Sequence, residues 1–228
     1  MLHRFRALSV LLITLALAGT ALAGPPLLCR PYNIGAAKSL PWLGSSWSEG
    51  DPAYTVKNVV EDTLALLTPE MPVLARMETL RRATLYTRND RDLAQQLLAR
   101  LYARTVVKPK DSRNYALALF DAGYLTETYR QAHWISASAH KDFWKFQNAE
   151  PPQDGYLMVR RALELRGNDP QMEFAAAVIT LDVHKDDHTQ HLQRALSGAP
   201  EGSLLEKNLA AQFGEELREL RSVAQKTK

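Results

Sequence analysis

Residues 161–181 read RALELRGNDPQMEFAAAVITL, and the parsing of this stretch decides the fold. Arg161-Ala-Leu-Glu-Leu165 ends one helical segment. A polar turn with Asn168-Asp169-Pro170 interrupts it. Met172, Ala175, Ala176 and Ile179 then fall at spacings that line one face of a second helix. Pro170 stands where that helix begins, the position at which a missing N–H matters least. The stretch reads as helix, turn, helix.

The same pattern extends outward in both directions. Val73, Leu74, Met77, Leu80 and Ala83 form one stripe, and Leu93, Ala94, Leu97, Leu98 and Leu101 form another. Pro69, Pro109 and Pro200 each precede a further helical stretch. Sustained period-two alternation is missing, and so is any Asn-Gly or Asp-Gly hairpin signal. The expectation is an all-α chain.

Matched residues recur at a fixed spacing. Arg161-Ala162-Leu163 returns as Arg194-Ala195-Leu196, 33 residues later, and Ala83/Ala116 and Ala99/Ala132 are also 33 apart. The implied helix pairs are 71–88 with 90–104, 112–122 with 124–138, 139–149 with 154–166, and 169–183 with 187–198. A helix over 203–224 caps the end, and 54–67 packs at the other. Small residues at matched positions suit helices that must approach closely.

The run 161–181 resembles a junction between tetratricopeptide repeats: a second helix ending in Ala-Leu-Glu-Leu, a polar Asn-Asp-Pro turn, an alanine-rich first helix. Residues 116–132, ALALFDAGYLTETYRQA, resemble the two-helix hinge of such a repeat. The resemblance covers about 71–200, in a degenerate form of the family's motifs. It implies helix-pair repeats wound into a short right-handed superhelix, an α–α solenoid, whose concave face suits extended peptides or partner helices.

The N-terminus reads MLHRFRALSVLLITLALAGTALAG. Arg4 and Arg6, an apolar run from Ala7 to Ala18, and Ala21-Leu22-Ala23 form a secretory leader pattern, with cleavage expected before Gly24. The apolar run is shorter than the ~20 residues a spanning helix needs. No membrane span is therefore expected after cleavage, and the protein should be periplasmic or secreted. Loss of residues 1–23 removes two of the 28 basic side chains and none of the 25 acidic ones, lowering the net charge from +3 to +1. No basic field for nucleic acid remains.

Residues 24–53 are rich in glycine, proline and serine, and contain Tyr32, Ile34, Trp42 and Trp47. They read as an irregular arm that lies along the helical domain, 54–228, and buries its rings there. Cys29 is the single cysteine, which excludes an internal disulfide. Pro26-Leu27-Leu28 departs from the small residue that precedes a lipidated cysteine. An inert buried thiol or an intermolecular bridge are the remaining readings.

Chemistry-bearing motifs are few. Residues 184–191, HKDDHTQH, hold three histidines. On one continuous helix His184, His188 and His191 fall at i, i+4 and i+7, a stripe suited to zinc, copper or nickel. Asp187-His-Thr-Gln190 is also a capping-box pattern. A helix starting there leaves His184 and Lys185 at the end of the preceding helix, and His188 and His191 as an incomplete site. No G-x-S-x-G, H-E-x-x-H, glycine-rich phosphate loop or C-x-x-C is present. Glu61/Asp62 and Glu215/Glu219 read as solvated carboxylates. The aromatic stretch from His133-Trp134 to Phe146 either fills the core or lines a groove; in a groove Trp134 and Trp144 supply the ring surface, with Lys141 and Lys145 flanking it.

These features point to a non-enzymatic protein- or peptide-interaction module of the cell envelope, with no cofactor. The alternatives are an exported metal-binding protein using the three histidines, and a hydrolase whose dispersed carboxylates meet only in the fold.

Overall fold

A computed structural model describes residues 25–43, 47–106, 112–137, 153–167, 169–182 and 184–226. The leader, the expected helix over 139–149, and Lys141, Trp144 and Lys145 lie outside them. Among the described residues there are nine α-helices and no strand. They are α1 (Pro26–Cys29), α2 (Val59–Leu66, after a 3-10 turn at Val56–Asn58), α3 (Val73–Thr87), α4 (Arg91–Val106) and α5 (Ser112–Ala137). Then follow α6 (Gly155–Arg166), α7 (Pro170–Thr180), α8 (Lys185–Ser197) and α9 (Leu204–Lys226). The chain is all-α. No described helix is long and apolar enough to cross a membrane.

The opening stretch folds as its punctuation requires. Gly167, at φ +70°, ends α6 in the left-handed conformation that glycine adopts without strain, and its N–H returns to Leu163 O at 3.0 Å. Two residues on, the Asp169 carboxylate accepts from the N–H groups of Gln171 and Met172, and Pro170 opens α7. One short turn both stops a helix and starts the next.

The second expected pair is corrected. Residues 112–137 form one helix of 26 residues, with no hinge at Gly123. Nothing in the run from Ser112 to Ala137 breaks a helix, since it contains no proline. Gly123 serves the neighbouring helix instead. A Cβ added there would lie 2.6 Å from Gly155 O, and one at Gly155 would lie 2.4 Å from Gly123 O. Helices α5 and α6 therefore meet backbone to backbone.

Two helices form the centre. Every residue of α7 from Met172 to Thr180 is buried, as are thirteen of the fifteen in α3. A helix buried on all faces belongs to an interior. The two touch directly, with Leu74 N donating to Gln171 Oε1 at 3.1 Å, and α7 also packs on α1, α5, α6, α8 and α9. Edge-to-face contacts of Tyr32 with Phe174 and of Phe174 with Phe213 carry the core from the arm through α7 to α9. Ala83, Ala116, Ala132, Ala162 and Ala195 are all fully buried where helices approach, whereas Ala99 is exposed and its match in spacing has no packing role.

The arm lies along the body. Leu27, Leu28, Tyr32 and Leu40 are buried, while Trp42 and Trp47 are partly so. Its main chain is held by side chains of the helices. Tyr32 N donates to Glu78, Arg81 donates to the carbonyls of Leu28 and Trp47, Arg82 to that of Leu40, and Arg88 to that of Ser48. At the other side Asn33 exchanges two hydrogen bonds with Asn208 of α9. An irregular segment has no secondary structure to satisfy its own polar groups, so these arginines complete it. Cys29, half-buried at the end of α1 within the arm, has its thiol pushed up to about 11 by burial, against the opposing charges of Arg81 and Arg30. That makes it a poor nucleophile at neutral pH.

Candidate functional site

The histidine motif forms the start of α8. The helix begins at Lys185, with His184 in the capping position and the His188 N–H returning to His184 O at 2.9 Å. The expected start at Asp187 is therefore corrected by about one turn. Asp186 and Asp187 both fall in the first turn, where negative charge is favoured by the helix dipole. Helix α7 ends at Thr180, so His184 and Lys185 are not its last turn.

The three imidazoles take different partners. His184 is exposed and stacks on the Tyr156 ring, 5.3 Å between centroids. His188 is buried: its Nδ1 is 2.8 Å from Ala177 O on α7 and its Nε2 is 2.8 Å from Glu216 Oε2 on α9. His191 is buried as well, with Nδ1 2.5 Å from Glu173 Oε2 on α7 and Nε2 2.8 Å from the Tyr156 hydroxyl on α6. That hydroxyl also lies 3.0 Å from Asp187 Oδ2. Burial, then the hydrogen bond and charge of Asp187, push the Tyr156 phenol well above its ordinary range. Among the described residues, no group of three or more His, Cys, Asp or Glu side chains is arranged to hold a metal ion.

Three residues of this cluster escape a sequence reading. Tyr156 and Glu216 carry no local signal. Glu173 does: it is the lone acid in an otherwise apolar helix, 1% exposed, and a buried carboxylate requires a cationic or donor partner. Its Oε1 accepts no hydrogen bond from the described residues and lies 3.7 Å from the Arg194 guanidinium.

The second candidate surface centres on Trp134. This ring is 65% exposed on α5 and lines a groove of about 620 Å³. Pro25, Leu27 and Ile179 make the apolar wall; Arg130, Gln131 and Asp182 supply polar edges. The groove is a built feature. Gln131 Oε1 accepts from Leu27 N at 2.8 Å, fixing the arm against α5. Glu127 accepts from Arg130 and from Tyr156 N, fixing α6 there too. No known protein family, curated protein or solved structure matches the chain. Function therefore rests on these surfaces alone.

Proposed function

We propose that the protein is an exported, non-enzymatic interaction module of the cell envelope, and that the groove beside Trp134 takes an extended peptide segment of an envelope protein. The observation carrying this reading is the large, exposed Trp134 ring set against an apolar wall. Exposed aromatic surface of this kind marks recognition sites, and tryptophan dominates interface energetics. The exposed Asp182 at the rim favours a basic residue beside the peptide's apolar anchor. The helix–turn–helix at α6–α7 and the 33-residue spacings support the repeat reading, and the leader pattern supports export.

A panel of synthetic decapeptides tests the binding half. It pairs an aromatic or branched apolar anchor with lysine, glutamate or no charge, and binding to residues 24–228 is followed by the anisotropy of a dye on the peptide. Basic, apolar-anchored peptides should bind, and Trp134→Ala should weaken them at least ~10-fold. Its folding stability should stay within about 0.5 kcal/mol of the parent, because the ring is mostly exposed. Peptides that bind equally well to Trp134→Ala would remove the groove from consideration. The export half is tested by the intact mass of protein recovered from the envelope fraction. A chain beginning at Gly24 is expected; an unprocessed Met1 in the cytosolic fraction would refute it.

A further inference from the structure

The turn that links α6 to α7 borders two cavities, of about 850 and 310 Å³, and Arg113, Arg166, Asp169 and Gln171 line both. The larger has the volume of a small-molecule site.

Donors outnumber acceptors on the shared wall. The Arg166 side chain is only 21% exposed, and a guanidinium carries five N–H groups. Arg166 donates from Nη2 to Asp169 Oδ2 at 2.6 Å, while its Nε and Nη1 have no hydrogen-bond partner among the described residues. Gln171 is used on one side in the same way. Its Oε1 accepts from Leu74 N at 3.1 Å, and its NH2 group, turned away from that bond, has no partner among the described residues. None of these donors is sealed in the interior, so they open on the cavities. Arg113, exposed at the start of α5, brings a second guanidinium to the same walls. Asp169 is the one carboxylate common to both cavities, and its oxygens are committed: Oδ1 to the N–H groups of Gln171 and Met172, Oδ2 to Arg166. Donors so enclosed and so little used suit an acceptor that comes from outside.

We propose that the larger cavity binds a small-molecule monocarboxylate with an apolar body. A guanidinium meets a carboxylate through two parallel N–H···O bonds, and the Gln171 amide adds a third donor. Charge sets the valence of the ligand. Arg113 and Arg166 against Asp169 leave one positive charge to be offset, and Glu70, exposed beside the smaller cavity, opposes a second anionic group. Ser112, Pro170 and Leu204 open α5, α7 and α9 at the larger cavity, so the helix dipoles act in the same sense as the arginines. The rest of that cavity offers apolar surface at Leu165, Pro170, Pro200 and Leu204, the last 37% exposed. Inorganic phosphate would use the donors and leave this surface in water. An apolar body covers it.

The site is independent of the Trp134 groove. Trp134 lies 21 residues beyond Arg113 on α5, roughly 30 Å along the helix.

The test follows the Arg166 Nε–H and Gln171 NH2 signals of nitrogen-15-labelled residues 24–228. The probes are hexanoate, phenylacetate and phenylbutyrate, their neutral amides, and inorganic phosphate. At least one of the carboxylates should shift both signals saturably, with a Kd below about 1 mM. Its amide, and phosphate, should bind at least ~10-fold more weakly. Arg166→Gln should weaken the carboxylate at least ~10-fold. Arg113→Gln, at an exposed side chain, should weaken it about 5-fold, and serves if loss of the Arg166–Asp169 pair unfolds the first variant. Trp134→Ala should bind it like the parent. No saturable shift for any of the three carboxylates up to about 10 mM would overturn the site. So would equal binding of the amide or of phosphate, binding indifferent to both arginine substitutions, or binding lost in Trp134→Ala.

Discussion

Replacing Arg81 with methionine is expected to cost about 3–5 kcal/mol of folding stability, the range for stranding one partner of a buried ion pair. Arg81 is completely buried. It donates to both Glu78 oxygens at 2.8 Å, and to the carbonyls of Leu28 at 3.0 Å and Trp47 at 2.8 Å. Methionine keeps the length and the apolar stem, and removes all four bonds together with the guanidinium that lies over the Trp42 ring, 5.1 Å from its centre. Glu78 is left in the interior with only Arg82 and the Tyr32 N–H, and two arm carbonyls lose their donor. The least costly relaxation is for the arm to lift off, which returns those carbonyls to water and exposes Leu28 and Tyr32. Two readouts should therefore separate. Tryptophan emission, measured with Trp134 and Trp144 replaced by phenylalanine so that it reports Trp42 and Trp47, should change at lower urea than helical circular dichroism. Arg82→Met, at a side chain 17% exposed, should cost only about 1–2 kcal/mol. Equal, small losses in the two variants would show that the arm is not held by Arg81.

Acid behaviour gives the same prediction a sign. Burial raises the Glu78 carboxyl, but the hydrogen bonds and charge of Arg81, with Arg82 and the Tyr32 N–H, hold it below the ordinary glutamate range. Its stabilisation is present above that range and is lost as pH falls through the depressed value. Without Arg81 burial dominates, and the slope should reverse: the variant gains stability as Glu78 takes up a proton.

How far the sequence carries this architecture depends on what each element is buried against. The stripes of α3 and α4 are legible because apolar residues at helical spacing face one side. Yet α3 also buries Arg76, Glu78 and Arg81, which read as a polar face. The arm covers Glu78 and Arg81, while Arg76 is taken by Asp121 of α5 and by the Thr68 and Met71 carbonyls; an irregular strap has no period by which its landing place could be read. Helix α7 shows one stripe at Met172, Ala175, Ala176 and Ile179, but Phe174, Ala177 and Val178 between them make it apolar all round, the mark of a central helix. At the histidines, the motif 184–191 is visible in the sequence, but its helix starts about one turn earlier than the capping pattern suggests. It says nothing of Tyr156, Glu173 and Glu216, which arrive from three other helices. A buried polar cluster is a property of packing, and apart from the histidines themselves the lone acid at Glu173 is its trace in the sequence.

Gly155→Ala should cost about 1–3 kcal/mol, although it adds a single methyl group and replaces a poor helix former with the best one. The new Cβ would lie 2.4 Å from Gly123 O, 2.7 Å from Glu127 Oε1 and 2.9 Å from Thr126 Cβ. The first is backbone of a 26-residue helix. The second is a buried carboxylate already fixed by Tyr156 N and Arg130, so neither can simply swing aside. Helix α6 must move away from α5, loosening Val159 and Ala162, which are fully buried at that contact. Gly214→Ala in α9 is the control, because a Cβ there meets nothing within 4 Å. It should be neutral or gain up to about 1 kcal/mol from the lower entropy of the unfolded chain. Urea denaturation of the three proteins measures the difference directly. If Gly155→Ala is instead as benign as Gly214→Ala, α5 and α6 do not meet backbone to backbone. Gly123 would then be free to act as the hinge of a repeat, and the uninterrupted α5 would give way to the helix pair that the spacing suggests.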